Sequence, residues 1–153
     1  MKHQLQLVRE FHRKIEEMIS DEPRLLDRHG ESDRGLAQDL RRIIESRRSK
    51  SGGHSEVTKR ALMAIEELTE WIEAHNESDL VAAADAWADR MYLLLGDAVV
   101  SGMPAEKLLD EVHRSNMTKI VANEQTGKGT KASGYRSPNI QTILELTTKQ
   151  TKQ

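Results

Sequence analysis

Eight carboxylates gather in one short stretch of the chain, between positions 66 and 89, which contains no Lys or Arg. The stretch reads EELTE from position 66 and DAWAD from position 85. On a helix, Glu66 and Glu67 stand four and three residues before Glu70, so the three carboxylates share one face. Like charges at this spacing repel by ~0.2–0.5 kcal/mol per exposed pair unless a cation lies between them. Such an oxygen-rich cluster suits hard divalent cations, above all Mg²⁺ or Mn²⁺.

A second group of acids lies on a predicted helix that is rich in Ala and Leu. Asp85 and Asp89 are four residues apart and Tyr92 follows three residues later, so these side chains lie along one side of the helix. The composition predicts a buried helix, and a buried charge is costly without a partner. This cost is a second reason to predict a metal site between the two acidic helices.

Apolar residues recur at spacings of three and four along most of the chain, which predicts an all-α fold. The predicted helices span about 4–19, 35–48, 55–75, 80–101, 105–116 and 139–146, and no strand pattern is strong enough to build a sheet. Asp21-Glu22-Pro23 ends the first helix and Gly102 ends the fourth. Ser78 or Asn76 is the predicted N-cap of the fourth helix.

The composition sets the class of protein. A chain of 153 residues with 37% hydrophobic residues predicts one domain, 1–153, with a less ordered basic tail from about residue 119. The absence of cysteine excludes disulfides, thiolate metal sites and cysteine catalysis, and the six histidines are too scattered to predict a zinc site. A net charge of −2 argues against stable nucleic-acid binding. The longest apolar run, Met91 to Leu95, is far shorter than the ~20 residues that span a membrane, so we expect a cytoplasmic protein.

Basic residues form two groups on either side of the acidic stretch. The first comprises Arg41, Arg42, Arg47, Arg48 and Lys50; the second, in the tail, comprises Lys119, Lys128, Lys131, Arg136, Lys149 and Lys152. Each group is interpreted either as a contact to phosphate or as a solvated, solubilising face. An acidic middle and a basic tail together predict a metal site and a phosphate-binding site that face each other.

The order of motifs in the chain resembles a known family, the all-α nucleoside triphosphate (NTP) pyrophosphohydrolases of the MazG-like and phosphoribosyl-ATP pyrophosphohydrolase-like group. The resemblance rests on VREFH from position 8, EELTE, DAWADRMYLLLGDAVVSG, EVHRSNMTKI from position 111 and GKGTKASGYRSPNI from position 127. It covers nearly the whole chain except about residues 23–54. EELTE alone is a weak signal, whereas the motifs in this order are fairly specific.

The resemblance implies a bundle of four helices completed by dimerisation, with a homodimer or a tetramer as the assembly. It also implies that an NTP, bound through Mg²⁺ with Mn²⁺ as a substitute, is cleaved to a monophosphate and pyrophosphate. Carried over by position, the implied metal ligands are Glu67, Glu70, Asp85 and Asp89. The implied catalytic residues are Glu66 and Glu67: Glu66 is a metal ligand or a base that orients the attacking water, and Glu66 or Glu67 assists its deprotonation. The implied nucleotide or phosphate contacts are Tyr92, Asn116, Lys119, Lys131 and Tyr135.

One departure from the family pattern bears on activity. The family has a carboxylate three residues before the position of Asp85, and this chain has Ala82 there. Asp79, Asp89 or water is expected to fill that coordination position. Two functions therefore stay open: an enzyme that removes dUTP, dCTP or a non-standard nucleotide, and a catalytically weakened relative that binds nucleotide or acts as a dimeric interaction module.

Several other side chains have two interpretations. Trp71, Trp87 and Tyr92 suit packing in a core or a dimer better than a base-stacking platform. His113 and Asn116 either serve the site or cap and close the short helix that contains them.

Overall fold

The computed structural model describes residues 1–49 and 53–150, with side chains as far as residue 148. Lys50, the side chain of Lys149 and Lys152, which belong to the two basic groups, lie outside the described residues. The helices of the described part are α1 (Lys2–Lys14), α2 (Glu31–Arg48), α3 (Glu56–Glu77), α4 (Leu80–Ser101), α5 (Ala105–Asn116) and α6 (Ile140–Gln150). The prediction of an all-α fold is confirmed for these residues, where the one β feature is an isolated antiparallel bridge between Ala122 and Gly129. None of the helices in these ranges is long and apolar enough to cross a membrane.

The chain divides into two compact units. Glu22–Ser101 form the acidic unit, which contains α2, α3 and α4; in it α3 packs against both other helices. Met1–Asp21 and the chain from Gly102 onward form the tail unit, in which α5 packs against α1 and α6. The interpretation of residues 1–153 as a single domain stays a prediction.

The core of the acidic unit is small and lies along α3. Its buried apolar side chains are Ala37, Ile44, Leu62, Ile72, Ala74, Ala83 and Ala86. Thr69 is fully buried among them, and its hydroxyl donates a 2.6 Å hydrogen bond to the carbonyl of Ile65, so its polar group is satisfied. Small alanines on α4 allow that helix to pack closely against α3.

The prediction that α4 is a buried helix is wrong for this chain. Ala83 and Ala86 are buried, but Val81, Tyr92 and Val99 are 78–81% exposed. Among the described helices of the acidic unit, α3 is the one that packs along α4, so one face of α4 is covered and the opposite apolar face is exposed. The sequence correctly predicts an apolar helix, but it does not indicate how many faces of that helix pack against the rest of the chain.

The turn between α3 and α4 also differs from the prediction. Ser78 is in the left-handed conformation, with φ 64°, and closes α3. The N-cap of α4 is Asp79, neither Ser78 nor Asn76, because Asp79 Oδ1 accepts hydrogen bonds of 2.9 Å from the amides of Val81 and Ala82. Helix α1 ends at Lys14, five residues before the predicted end.

A contact between distant residues explains why α1 ends at Lys14. Ile15 is 2% exposed, its carbonyl accepts a 3.2 Å hydrogen bond from the amide of Ala122, and Glu16 follows at φ 61°, so the chain leaves the helical path.

Part of the 23–54 segment contacts the end of α3. Arg28 Nη1 donates to the carbonyl of His75 at 2.8 Å and to the hydroxyl of Ser78 at 2.7 Å. Arg28 therefore satisfies polar groups at the C-terminal end of α3.

Candidate active site

Glu67 is the centre of the acidic cluster. It lies on α3, its Oε2 atom is buried, and this atom has no hydrogen-bond partner. Burial raises the pKa of Glu67 above its ordinary value, and the charges of Glu70, Asp89, Glu66 and Asp85 raise it further. The acids of α3 and α4 thus act on one carboxyl group, as the sequence predicts for neighbouring helices.

Two arginines of α2 supply positive charge to the acids of α3. Arg48 Nη2 donates a 2.6 Å hydrogen bond to Glu66 Oε2. Arg41 donates two hydrogen bonds to Glu73, at 3.0 and 2.5 Å, and its Nη2 lies 3.8 Å from Glu70. The hydrogen bond to Glu73 raises the pKa of Arg41, and so do the charges of Glu73, Glu70 and Glu66.

These compensating cations were not predicted from the sequence, because they lie on α2, 18 or more residues before the acids with which they pair. A signal was present: Arg41 and Arg48 are seven residues apart, which places both on one face of α2. The first basic group had two interpretations, a phosphate contact or a solvated face, and the structure adds a third for Arg41 and Arg48. They are counterions of the α3 carboxylates, and Arg42 instead donates a 2.6 Å hydrogen bond to Asp39 on its own helix.

The donor chemistry of the cluster fits a divalent cation, since carboxylate oxygens are the ligands that Mg²⁺ and Mn²⁺ prefer and Glu67 presents a buried oxygen without a partner. In the described part of the chain, no group of three or more His, Cys, Asp or Glu side chains is arranged to hold an ion with its present conformations. The ion pairs of Glu66 and Glu70 with α2 contribute to this, because each directs a carboxylate toward a guanidinium. The assignment of Glu67, Glu70, Asp85 and Asp89 as ligands stays a prediction.

The structure distinguishes between Asp79 and Asp89, the two carboxylates expected to replace the one that is missing at Ala82. Asp79 Oδ1 is engaged as the N-cap of α4, with the amide of Ala82 as one of its donors. Asp89, in contrast, is close enough to Glu67 for its charge to act on that carboxyl group. Of the two candidates, Asp89 is the one that lies at the cluster.

The aromatic residues near the cluster differ in exposure. Trp71 is partly buried; the guanidinium carbon of Arg90 lies 5.0 Å from its ring centroid and the ring of His75 lies 4.4 Å away. Trp87 and Tyr92 on α4 are 47% and 78% exposed. Trp71 therefore packs within the acidic unit, whereas Trp87 and Tyr92 remain available to a ligand or another chain.

In the tail unit, three predicted phosphate contacts lie together. The Nζ atom of Lys131 lies 4.7 Å from the ring centroid of Tyr135. Hydrogen bonds with the side chains of Ser115 and Ser137 lower the pKa of Tyr135, and the charges of Lys131 and Lys119 lower it further. Lys119, Lys131 and Tyr135 thus form a cationic group around one phenol, which is favourable for an anion.

The EVHRSNMTKI motif holds the segment that carries Tyr135. Ser115 is 1% exposed and its hydroxyl donates a 2.7 Å hydrogen bond to the carbonyl of Arg136. The amide of Arg136 donates to Thr118 Oγ1 at 2.8 Å, and Arg114 Nη2 donates to the carbonyl of Ser137 at 3.0 Å. We refer to Glu111, Arg114, Ser115 and Thr118 as the tail clamp.

Glu111 completes the tail clamp. Hydrogen bonds from Arg114 and from the backbone amide of Asn139 lower its pKa to about 2. The sequence gives no signal for this role, because the partners of the tail clamp in the Tyr135 segment are 18 to 28 residues away in the chain. The neighbouring His113 lies 3.7 Å from Glu10 of α1, and Asn116 is the last residue of α5; a nucleotide contact by Asn116 stays a prediction.

The chain matches a protein family of the group that its motifs resemble. The family profile of phosphoribosyl-ATP pyrophosphohydrolases matches residues 34–116, more than half of the chain. The chain belongs to this family. The match includes both acidic groups and ends at Asn116. Lys119, Lys131 and Tyr135 of this phosphoribosyl-ATP pyrophosphohydrolase family member therefore lie beyond the matched segment. The match also begins within α2, which corrects our expectation that residues 34–54 lie outside the resemblance.

A solved structure agrees with the fold of this phosphoribosyl-ATP pyrophosphohydrolase family member. The crystal structure of a candidate NTP pyrophosphohydrolase from Exiguobacterium sp. 255-15 superposes with a TM-score of 0.56 at 19% identity, and the alignment covers 97% of this chain and 96% of that chain. At this identity the likeness establishes the fold. No curated protein matches the chain significantly. Membership of the family supports pyrophosphohydrolase activity in general.

Proposed function

We propose that the protein is a Mg²⁺-dependent nucleoside triphosphate pyrophosphohydrolase that converts an NTP or dNTP to the monophosphate and pyrophosphate. One observation carries the proposal: the unpartnered, buried Oε2 of Glu67 lies within reach of the charges of four further carboxylates from two packed helices. These residues fall inside the segment that matches the family. Arg48 and Arg41 offset the charges of Glu66 and Glu70, but the buried oxygen of Glu67 has no partner, and a buried charge is costly unless a cation binds it.

In this proposal Glu67, Glu70, Asp85 and Asp89 would hold the divalent cation, and Glu66 would join them as a ligand or act as a base. When bound, the cation neutralises the triphosphate and polarises its phosphoryl oxygens. Glu66 or Glu67 accepts a proton from the water that attacks the α-phosphorus, and pyrophosphate leaves with the electron pair of the broken P–O bond.

Lys119, Lys131 and Tyr135, which lie in the tail unit, are proposed as phosphate contacts because the resemblance of their motif implies that role. Lys119, Lys131 and Tyr135 present two positive charges and a phenol hydroxyl in one group. Two ammonium groups and a hydroxyl match the charge and the acceptor oxygens of a pyrophosphoryl group. Asn116 and Tyr92 are proposed as further contacts to the nucleotide.

The proposed substrate is a deoxynucleotide such as dUTP or dCTP, or a non-standard nucleotide that must be removed from the pool. The family takes its name from phosphoribosyl-ATP, and the structural neighbour is a candidate NTP pyrophosphohydrolase. Both names describe release of pyrophosphate from a triphosphate, which supports the reaction class. The base and sugar are to be decided by assay.

We propose that the active form is a homodimer that pairs through α4. Its exposed face carries side chains at positions 81, 84, 88, 92, 95 and 99, and these spacings of three and four residues are close to the 3.5-residue repeat of a helix-packing seam. All of them are aliphatic except Tyr92. Alanines 84 and 88 permit close approach of a second helix, and Val81, Leu95 and Val99 supply apolar area that is costly to leave in water. A second copy of α4 presents the same stripe and is the simplest occupant.

The proposal is tested by incubating the purified protein with Mg²⁺ and a panel of triphosphates that includes dUTP, dCTP, the common NTPs and phosphoribosyl-ATP. The expected products are the monophosphate and pyrophosphate, separated by ion-exchange chromatography, and EDTA is expected to stop their formation. Orthophosphate as the first product, or turnover that EDTA leaves unchanged, contradicts the proposal.

A second function is favoured by one specific observation, the replacement of an expected carboxylate by Ala82. A relative weakened in this way binds a nucleotide without turning it over. Binding of Mn²⁺ and a triphosphate by calorimetry, together with no product from any member of the panel, is the result that selects this function. Ala82→Glu is then expected to restore turnover, because it returns the carboxylate of the family pattern.

A further inference from the structure

We infer that Arg48 is a substrate-binding residue, held on Glu66 until a divalent cation takes that carboxylate and then available to bind a phosphate of the substrate. The inference rests on the proposed function. It selects, for Arg48 alone, one of the two interpretations of the first basic group and adds the exchange of partners that makes a phosphate contact possible. It starts from the finding that the positive charges opposite the acids come from α2.

The two arginines differ in how firmly they are held. Arg41 makes two hydrogen bonds to Glu73, and the exposed fractions of the two side chains are 35% and 36%. Arg48 makes one hydrogen bond to Glu66, is 53% exposed and is the last residue of α2. Arg41 is therefore a lasting link between α2 and α3, whereas Arg48 is free to exchange its partner.

Glu66 is the carboxylate over which the exchange takes place. Its side chain is 25% exposed, and its charge also acts on the unpartnered carboxyl group of Glu67. A divalent cation beside Glu67 attracts Glu66 more strongly than a guanidinium does, since its charge is twice as large and compact. A partly exposed ion pair contributes only ~0.2–1 kcal/mol, so losing it is a small obstacle.

A released Arg48 suits a phosphate. The guanidinium presents parallel N–H donors that match phosphate oxygens in a bidentate contact, and it remains charged at any physiological pH. The anion that a cation at this cluster would bring closest to Arg48 is the triphosphate that the cation binds. The same residue thus prevents repulsion among the acids before binding and adds positive charge to the site afterwards.

The exchange predicts opposite effects of one substitution on two ligands. In Arg48→Gln, Mn²⁺ alone is expected to bind about two- to fivefold more tightly, which is the equivalent of one partly exposed ion pair. Inorganic triphosphate in saturating Mn²⁺ is expected to bind about tenfold more weakly, because a charged hydrogen bond is lost. Free Mn²⁺ is measured by electron paramagnetic resonance and triphosphate binding by calorimetry, so neither measurement requires turnover.

Arg42→Gln is the matched control. Arg42 lies on the same helix, is 70% exposed and pairs with Asp39 of α2, so both affinities are expected to equal those of the wild type. Unchanged affinities in Arg48→Gln overturn the inference, and so does a parallel loss of both, which indicates that Arg48 only holds α2 against α3. If the wild type itself binds no Mn²⁺, the proposed function fails as well, so the two failures are distinguishable.

Discussion

The hydroxyl of Ser115 donates a 2.7 Å hydrogen bond to the backbone carbonyl of Arg136, which lies 21 residues further along the chain. Ser115 is 1% exposed, so Ser115→Ala removes a buried donor and leaves the carbonyl of Arg136 without this hydrogen bond. Ser115→Ala is expected to lower the free energy of unfolding by about 1–2 kcal/mol, measured by urea denaturation. It is also expected to increase proteolytic cleavage between residues 119 and 139, because the segment loses an anchor.

The control for this change is Ser133→Ala, at an exposed position of the same segment. Both effects are expected to be absent in the control. Equal stability and equal cleavage in Ser115→Ala and the wild type would show that the tail clamp does not depend on this hydrogen bond.

The tail clamp is expected to weaken in acid. The pKa of Glu111 falls from its ordinary 4.5 to about 2 in the folded chain. A lowered pKa adds stability that is present above pH 4.5 and is lost as the pH falls toward 2. The difference in unfolding free energy between the wild type and Glu111→Gln should therefore shrink over this interval, as thermal or urea unfolding at several pH values would measure. A difference that is constant from pH 6 to pH 2.5 would contradict the assignment.

Asp79 is expected to act as a helix cap and not as a metal ligand. Asp79→Ala should lower the free energy of unfolding by about 0.5–2 kcal/mol, because the first turn of α4 loses the acceptor for two amides. Asp79→Asn keeps an acceptor and should retain most of the stability. Mn²⁺ affinity should be unchanged in both variants; a loss of Mn²⁺ binding by a stable Asp79→Asn protein would make Asp79 a ligand.

The exposed face of α4 is expected to mediate the proposed dimer. Leu95→Glu should shift the protein toward the monomer in sedimentation velocity experiments, since a charge buried at the seam is costly. The fold should tolerate the change, because Leu95 is 43% exposed within the chain. Val57→Glu is the control: Val57 is 79% exposed on α3 and lies off this face. A dimer that persists in Leu95→Glu would place the interface elsewhere.

Much of the helical pattern is predictable from local sequence. The bounds of α4 and α5 agree with the prediction because strong periodicity is interrupted by Gly102 and Pro104, a glycine that ends one helix and a proline that precedes the next. The predicted end of α1 was wrong because the helix ends at a long-range contact, the hydrogen bond from the amide of Ala122 to the carbonyl of Ile15. Periodicity reports which face of a helix is apolar and gives no information on such distant partners.

The candidate site is predictable to a similar extent. The grouping of Glu66, Glu67 and Glu70 with two aspartates of the next helix follows from spacing and from the order of the motifs, and the charges that raise the pKa of Glu67 agree with it. The pairing of Arg48 with Glu66 bridges 18 residues and two helices. Its detection requires the packing of α2 against α3, which the sequence alone does not define.

The most direct test is the rate of pyrophosphate release, in millimolar Mg²⁺ and the triphosphate that the wild type prefers, for Glu67→Ala, Glu70→Ala and Asp85→Ala. Each variant is expected to lose turnover by at least a thousandfold with an unchanged helical circular dichroism spectrum, whereas Glu77→Ala, at an exposed position of α3, keeps the wild-type rate. Full activity in all three cluster variants would contradict the account.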